Sequence, residues 1–502
     1  MRDRETPSDR PFSRGSTRRV AWLAIVPALL LGHAAWSATL INVGPRLPTN
    51  IGPRTPSIGT VGPRFDPTIR SVPGGGDQGT SNTGDRPPKR KITNTGGGGS
   101  NSGGSKTVKQ NDNRARGNIF LPLPNSRYFD EVLIEFNGNQ SEQQLTAMAA
   151  RLRFTRLETR RLTLLNATVH RWRVPAGMSV PDAIRLIGRQ GSVRHVQANL
   201  MLFTGQGVPA DTAGQQSLSN GDPAQYALAK LRLGEAHNLT RGDKILVAVV
   251  DSGIDAAHPE LAGVVERSFD ALDSQEGPHM HGTGVAGIIA AHARLLGAAP
   301  AVRILAARAF STTQGSTMSV TTSIDWAAGQ GARIINMSFT GQFDQLLIRS
   351  LAAARQKGVL LIAAAGNAGP KSPPLWPAAD PNVIAVTATD ADDRLYAMAN
   401  RGGHVAIAAP GVDILVAVPG ERYEMKSGTS FASAYVSGIA ALMLERKPQL
   451  TPDAVKKTLL STAHDLGPKG RDDQFGAGLA DAFEAVTAVQ KPADAALQVP
   501  AH

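Results

Sequence analysis

The amino-acid sequence predicts an α/β fold, a parallel sheet covered by helices on both faces, preceded by a small α+β domain. From residue 222 onward, apolar segments of strand length alternate with helical segments, the pattern of parallel strands joined by helical crossovers. Between residues 128 and 198 the predicted elements follow the order β-α-β-β-α-β, which gives a two-layer domain. A third observation is the run of small and apolar residues after Gly428, which is typical of a helix buried on nearly every face.

Residues 1–37 follow the three-part plan of a secretory signal peptide. Arginines precede Val20, an apolar run extends from there to Leu31, and small residues end the segment. This pattern predicts cleavage after Ser37 and a secreted protein, periplasmic or extracellular. Apolar residues continue intermittently to Val43, so a retained signal anchor is the alternative, and only that alternative predicts a membrane partner.

Residues 38–116 are rich in glycine and proline and contain few residues that could form a core, which predicts a disordered, basic linker. The positive charge is concentrated near the N-terminus: the net charge is +11 over residues 1–116, +5 over 117–205 and −4 over 206–502. Because the largest part of the chain is mildly acidic, a nucleic-acid partner is disfavoured. The chain has no cysteine, which excludes disulfides and thiolate chemistry.

The small α+β domain is predicted over residues 117–205. Val132, Ile134 and Phe136 alternate as in a strand, and Ser141 with Gln144 forms a capping box for the first helix. The remaining predicted elements are a strand pair at 162–165 and 169–174, a helix capped by Ser179, and a last strand at 193–198. The polar, glycine-rich segment 206–221 is expected to be an exposed junction to the larger domain.

The larger domain is predicted over residues 222–489, followed by a tail at 490–502. Its predicted strands are 245–250, 302–307, 334–337, 359–364 and 383–386, and its predicted helices include 284–293, 319–329, 344–357 and 431–444. The active sites of parallel sheets lie at the carboxyl ends of their strands. Functional residues are therefore expected directly after these strands.

Four polar residues lie at such positions. Asp251 follows the strand 245–250, Asn367 follows the strand 359–364, and His281 and Ser430 each precede a predicted helix. Taken singly, each has an ordinary structural role as a turn former or helix cap. Together they provide the residue types of serine nucleophilic catalysis: a hydroxyl, a base near neutral pH, a carboxylate to orient the base, and an amide to bind an oxyanion.

The segments DSGID, HGTGVAG, AAAGN and GTSFAS resemble the signature motifs of the subtilases, the subtilisin-like serine proteases, in their Asp, His, Ser chain order. The resemblance covers residues 222–489 and implies a subtilisin-like fold. It also implies that Asp251, His281 and Ser430 are catalytic and that Asn367 lies in the oxyanion hole. The position of the α+β domain resembles that of the family's inhibitory propeptide.

The resemblance further implies a set of substrate-binding residues. Ser338 and Gly341 would bound a segment that pairs with an extended substrate chain. Leu375 would line the primary specificity pocket, and Ala364 and Gly366 would belong to its opposite wall. No acidic residue is placed to receive a basic side chain, so we expect a preference for apolar residues on the acyl side of the cut.

Three positions depart from the family pattern. Gly284 replaces the second histidine of the motif around His281, a change outside the expected catalytic residues. The short segment after Ile289 lacks the insertion that supplies a calcium site in many secreted relatives, so no cofactor and no metal ligand are predicted and calcium is not supported. Ala434 replaces the family's proline, so we expect a more regular helix after Ser430. Either this makes the protein a slow hydrolase whose acyl-enzyme is more open to amines, or the backbone has readjusted around Tyr435 and no activity is lost.

The sequence therefore predicts a secreted serine endopeptidase, made as a self-inhibited precursor, that cleaves proteins or peptides through an acyl-enzyme on Ser430. Its own propeptide would be an intramolecular inhibitor. One alternative is a catalytically silent subtilase fold that acts as a cell-surface binding protein, and the presence of all four functional residues argues against it. The other is a membrane-tethered processing protease, which differs only in retaining the signal segment.

Overall fold

The computed structural model describes residues 118–205 and 221–489, which lie within one compact unit. The predicted signal peptide, the linker at 38–116, the junction up to residue 220 and the tail at 490–502 lie outside the described residues. In the described part of the chain, no helix combines the length and the apolar character needed to cross a membrane.

The first described segment is a two-layer α+β domain. Its strands β2, β4 and β5 carry most of the buried side chains, and both helices begin at the predicted serine caps, Ser141 and Ser179. The capping box between Ser141 and Gln144 is present. The elements are β1 (Asn118–Phe120), β2 (Tyr128–Phe136), α1 (Glu142–Leu152), β3 (Thr155–Leu162), β4 (Ala167–Arg173), α2 (Val180–Gly188) and β5 (Val193–Thr204).

Two predictions for this domain are wrong in their limits. The strand predicted at 162–165 ends at Leu162, and it is the preceding arginine-rich segment that forms β3. That segment lies at the edge of the sheet and buries only Leu162, and edge strands are often charged. The last strand continues to Thr204 because its final residues pair with strands of the larger domain.

The larger domain is built on a seven-stranded parallel sheet of order β15-β14-β13-β11-β6-β8-β7. The elements up to the middle of the domain are α3 (Tyr226–Lys230), α4 (Leu233–His237), β6 (Leu246–Asp251), β7 (Val265–Asp270), α5 (Met280–Ala290), β8 (Arg303–Arg308), β9 (Phe310–Ser311), β10 (Gln314–Ser316) and α6 (Thr317–Gly329). The remaining elements are β11 (Ile334–Met337), β12 (Phe339–Thr340), α7 (Gln345–Gln356), β13 (Leu360–Ala364), β14 (Val383–Thr389), β15 (Val405–Pro410), β16 (Ile414–Val418), β17 (Arg422–Lys426), α8 (Thr429–Arg446), α9 (Pro452–Ser461) and α10 (Ala482–Ala488).

Both faces of the parallel sheet are covered by helices. Along β6, Val247 and Val249 pack into the cluster that contains α5 and α8. Ala248 and Val250 pack into the opposite cluster, which contains α6 and α7. Successive side chains of a strand point to opposite faces, so this alternation confirms the predicted α/β architecture.

The helices α5 and α8 begin earlier than the sequence predicts. Met280 is the first residue of α5 and Thr429 is the first residue of α8, so His281 and Ser430 lie inside the first helical turns. Ser430 is therefore not the N-cap of its helix; that position belongs to Gly428, whose backbone is extended. Ala434 lies within uninterrupted helix, as its residue type predicts.

Candidate active site

Asp251 is the last residue of β6, at the carboxyl end of a central strand, and its side chain is fully buried. Its Oδ1 accepts a hydrogen bond from Ser252 N at 2.7 Å and lies 2.7 Å from His281 Nδ1. Its Oδ2 has no protein partner among the described residues. The carboxylate is therefore placed to fix the orientation of the imidazole and its tautomer.

His281 lies in the first turn of α5, where the residue is 2% exposed. With Nδ1 on Asp251, the other ring nitrogen, Nε2, is left without a partner within the described chain. The ring centroid lies 6.1 Å from that of Phe431, which follows Ser430. The free nitrogen of the imidazole is thus available to accept a proton from a hydroxyl.

Ser430 is held by Ser338 at two points. Its Oγ donates to Ser338 O at 3.3 Å, and its own carbonyl oxygen accepts from Ser338 Oγ at 3.0 Å. Ser433 Oγ donates to the same carbonyl at 2.9 Å. The hydroxyl of Ser430 is consequently directed at the Ser338 carbonyl and not at His281.

Asn367 is oriented by Thr429, a residue that the sequence reasoning missed. Its Oδ1 accepts from Thr429 N at 3.0 Å and from Thr429 Oγ1 at 2.8 Å, and Thr429 Oγ1 in turn accepts from Gly366 N at 3.1 Å. Because both donors lie on the oxygen, the amide group Nδ2 is left to face the cleft. Such a preoriented donor can stabilise a developing oxyanion. A threonine directly before the serine was the available signal.

The cleft beside Ser430 is occupied by the end of β5. Phe203 pairs with Gln314 of β10 on one side and with Thr340 of β12 on the other, and both pairings are antiparallel. Leu202 is 1% exposed and packs into the cluster that contains Phe310 and Phe339. The strand of the α+β domain thus lies between two strands of the larger domain, as an extended peptide would.

Gly205, the last described residue before the junction, lies next to the side chains of Asn367 and Ser430. A Cβ atom built on Gly205 would lie 2.5 Å from Asn367 Nδ2 and 3.4 Å from Ser430 Oγ. The first of these separations is too short for a real Cβ. In this arrangement the backbone of Gly205 approaches both side chains because no side chain intervenes.

The residues expected to bind substrate are brought together only in part. Gly341 lies beside the occupied strand, since a Cβ on it would be 3.0 Å from Leu202 Cγ, and its backbone forms a two-way hydrogen-bonded bridge with Trp376. Gly366 lies against Leu375, whose Cδ1 would be 3.3 Å from a Cβ at that position. The expected Ser338 supplies the bonds to Ser430, and Ala364 is the buried last residue of β13.

The described residues contain no group of three or more histidine, aspartate or glutamate side chains that could hold a metal ion. The short segment after α5 is held by Glu260, which is fully buried. Its carboxylate accepts from the backbone N–H groups of Ala293, Arg294 and Leu295 at 2.8–3.0 Å and from Tyr423 Oη at 2.8 Å. Burial, together with Glu260, raises the pKa of Tyr423.

Comparison with protein families gives a match to the subtilase family of peptidases, over residues 242–478. Among curated proteins, the chain is 34% identical over 319 residues to the thermophilic serine proteinase of Bacillus sp. (strain AK1), covering 62% of this chain and 76% of that protein. It is 33% identical over 271 residues to thermitase of Thermoactinomyces vulgaris, covering 52% of this chain and 95% of thermitase.

Among solved structures, the chain is similar to fervidolysin from Fervidobacterium pennivorans, described as a keratinolytic enzyme related to subtilisin. The TM-score is 0.65 at 24% sequence identity, and the match covers 74% of this chain and 63% of fervidolysin. At this level of identity the likeness supports the fold. The match covers more of this chain than the catalytic domain predicted at residues 222–489.

Proposed function

Because the chain belongs to the subtilase family and is a serine endopeptidase, we propose that it cleaves peptide bonds with Asp251, His281 and Ser430 as catalytic residues and Asn367 as an oxyanion donor. We further propose that it is exported and made as a precursor whose α+β domain inhibits it. Its substrates are proteins or peptides bound in extended form. The observation that carries the proposal is the convergence of these four side chains at the carboxyl edge of the sheet.

In the proposed acylation step, Ser430 Oγ turns from the Ser338 carbonyl towards His281. Oγ attacks the carbonyl carbon of the scissile bond while His281 Nε2 takes the hydroxyl proton, which gives a tetrahedral oxyanion. His281 then gives that proton to the leaving amine, and the C–N bond breaks to leave an ester on Ser430. Water, deprotonated by the same histidine, hydrolyses the ester and restores the hydroxyl.

Two electrostatic contributions support this sequence. The Asp251 carboxylate, 2.7 Å from His281 Nδ1, stabilises the imidazolium that exists while the histidine holds the proton. Asn367 Nδ2 faces the position of the oxyanion because Thr429 occupies its Oδ1. Removal of one such donor typically costs about 3 kcal/mol of transition-state stabilisation.

The strand in the cleft supports the proposal of a precursor. Leu202, Phe203, Thr204 and Gly205 would be the four residues on the acyl side of the cut, with Gly205 next to Ser430 Oγ and Asn367 Nδ2. We propose that maturation cleaves the bond after Gly205. The same strand would remain in the cleft as a product and block the entry of other peptides.

An active-site label tests the catalytic assignment. The mature enzyme is treated with a biotinylated fluorophosphonate, and the modified residue is located by mass spectrometry. We expect one adduct, on Ser430, and no adduct in the Ser430→Ala variant. Ser437→Ala, a buried serine of the same helix, is the matched control and should label like the wild type. A wild-type chain that is folded, unlabelled and inert towards peptides would favour the silent binding fold.

A further inference from the structure

The helix that carries His281 is capped by another histidine, His279. The Nδ1 atom of His279 accepts a hydrogen bond from His281 N at 3.3 Å, which makes His279 the N-cap of α5. The backbone of His279 is fixed as well, since its N–H donates to Gly253 O at 2.8 Å and its carbonyl accepts from Thr283 Oγ1 at 2.8 Å. Serine, threonine, aspartate and asparagine are the usual caps, and none of them loses its acceptor near neutral pH.

The ring of His279 is also connected to Asp251 through Ser252. Ser252 Oγ lies 3.1 Å from His279 Nδ1 and 3.1 Å from Asp251 Oδ1, and it accepts from Gly282 N at 3.1 Å. The single hydroxyl proton of Ser252 can therefore go to the ring or to the carboxylate. Asp251 Oδ1 also faces His281 Nδ1. The protonation state of the His279 ring therefore affects how strongly the Asp251 carboxylate attracts the imidazole of His281.

Four charged or titratable groups face His279 from the elements around it. Asp251 ends β6, His281 lies on α5, Arg308 ends β8, and Glu276 lies in the segment before the helix and within 3.6 Å of Arg308. Burial, with His281 and Arg308, lowers the pKa of His279, against the opposite effect of Asp251 and Glu276. At neutral pH the ring is therefore uncharged, with Nδ1 free to accept.

We propose that His279 is a titratable positioning residue for the catalytic histidine: its neutral ring holds the first turn of α5 and, through Ser252, leaves the Asp251 carboxylate available to His281. This inference deepens the proposed function and rests on it. It assigns His279 no contact with the reacting atoms.

Protonation of His279 would oppose catalysis in three ways. Nδ1 would become a donor, so the hydrogen bond from His281 N would be lost. The new N–H would donate to Ser252 Oγ and direct the hydroxyl proton of Ser252 to Asp251, which weakens the attraction of the carboxylate for an imidazolium. A cation would also stand at the N-terminus of α5, the positive end of the helix, beside the imidazolium that forms on His281.

The expected pH dependence follows from the lowered pKa of His279. A histidine whose pKa is lowered by folding stabilises the folded state above its ordinary pKa and loses that contribution as the pH falls. Protonation of His279 should add to the loss of activity on the acid side, at a pH below the ordinary pKa of a histidine. In that range the slope of log kcat/KM against pH should therefore exceed one in the wild type.

The test uses the mature enzyme, a chromogenic peptide and the variant His279→Asn. Asparagine is a strong N-cap and keeps an acceptor near the position of Nδ1 without titrating. We expect kcat/KM at pH 8 within about twofold of the wild type and an acid limb of slope one that extends to lower pH. His279→Ala removes the acceptor and should lower kcat/KM at pH 8 roughly tenfold, mainly in kcat.

His404→Asn is the matched control, because His404 is a half-buried histidine whose pKa is also lowered by burial, and it should keep the wild-type profile. Activity is re-measured at pH 8 after each acid incubation to exclude unfolding. An acid limb unchanged in His279→Asn, or equally changed in His404→Asn, would overturn the proposal. So would full activity of His279→Ala.

A second readout separates this proposal from the proposed function. The Tm of Ser430→Ala, with and without His279→Asn, is followed from pH 8 to pH 5. The cap predicts a steeper fall of Tm with acid when His279 is present, whether or not the chain hydrolyses peptides. An inactive wild type with this Tm difference would refute the catalytic assignment but keep the cap, whereas parallel Tm curves would refute the cap.

Discussion

Leu375 and Gly366 face each other across the proposed primary pocket. Leu375 Cδ1 would lie 3.3 Å from a Cβ on Gly366, so a leucine side chain occupies space next to the opposite wall. The residue proposed to precede the cut, Gly205, has no side chain to place there. A pocket narrowed in this way should favour small apolar residues directly before the cut. The sequence alone predicted an apolar residue there but left its preferred size open.

The variant Leu375→Ala tests this pocket. Removal of three side-chain carbons should raise kcat/KM for a peptide with phenylalanine before the cut, relative to one with alanine, by about tenfold or more. Leu239→Ala, which changes an exposed leucine after α4, is the control and should leave the ratio unchanged. A wild-type preference for arginine or lysine, or an unaltered ratio in Leu375→Ala, would contradict this view of the pocket.

Single residues differed in how far the sequence could assign them. Asp251, His281, Asn367 and Ser430 could be proposed from the sequence because their short motifs combine a chemical type with a strand end or helix start. The roles of Thr429 and His279 depend on hydrogen bonds between separate segments, from α8 to Asn367 and from the N-cap of α5 to Ser252, the residue after β6. Adjacency in sequence did not reveal which side chain orients which.

The strand β5 is hydrogen-bonded to the larger domain at the N-termini of two helices, α6 and α7. Gln197 donates Nε2–H to Asp344 Oδ1 at 2.9 Å and accepts from Leu346 N at 3.0 Å at the start of α7. Asn199 accepts from Met318 N at 3.2 Å at the start of α6. Burial raises the pKa of Asp344, a shift opposed by hydrogen bonds from Gln197 and Thr317. These amides satisfy helix donors that would otherwise be buried without partners.

This interface predicts the strength of inhibition in trans. Residues 118–205 added to mature enzyme at micromolar concentration should slow peptide hydrolysis. The variant Gln197→Ala leaves the buried N–H of Leu346 without its acceptor and removes one donor to Asp344. At a cost of about 1–3 kcal/mol, the inhibition constant should rise roughly 5- to 150-fold.

The control for this prediction is Gln190→Ala, because the Gln190 side chain bonds within the α+β domain, to Arg151 and the Leu186 carbonyl. Circular dichroism confirms that each added fragment is folded. The absence of inhibition by the folded wild-type fragment, or equal inhibition constants for Gln197→Ala and wild type, would count against the interface.

At the level of elements, the sequence predicted the strands that form the core of each sheet. Apolar runs such as Ile334–Met337 were placed at their observed limits, because a run of apolar residues by itself predicts a buried strand. The two- and three-residue strands β9, β10 and β12 were not predicted. They are strands because they pair with each other or with β5, a contact between distant parts of the chain that local pattern cannot supply.

The two domains share one eight-stranded sheet. β5 lies within the sheet of the α+β domain and also pairs with β10 and β12 of the larger domain. Ion pairs between the two domains do not follow their net charges. Arg160 of the α+β domain pairs with Asp273 at 2.7 Å, but in a second pair the cation, Arg349, belongs to the larger domain and the anion, Glu135, to the α+β domain. Shared strand pairing and burial, rather than net charge, hold the strand in the cleft.

Cleavage of the full-length chain shows whether Ser430 processes its own polypeptide after Gly205. The purified chain and its Ser430→Ala variant are incubated side by side, and the N-terminus of every fragment is sequenced. We expect the wild type to produce a fragment that begins at Gln206, directly after Gly205, and Ser430→Ala to stay intact. The same cleavage in the Ser430→Ala precursor incubated alone, or a wild-type fragment that begins at a different residue, would contradict this expectation.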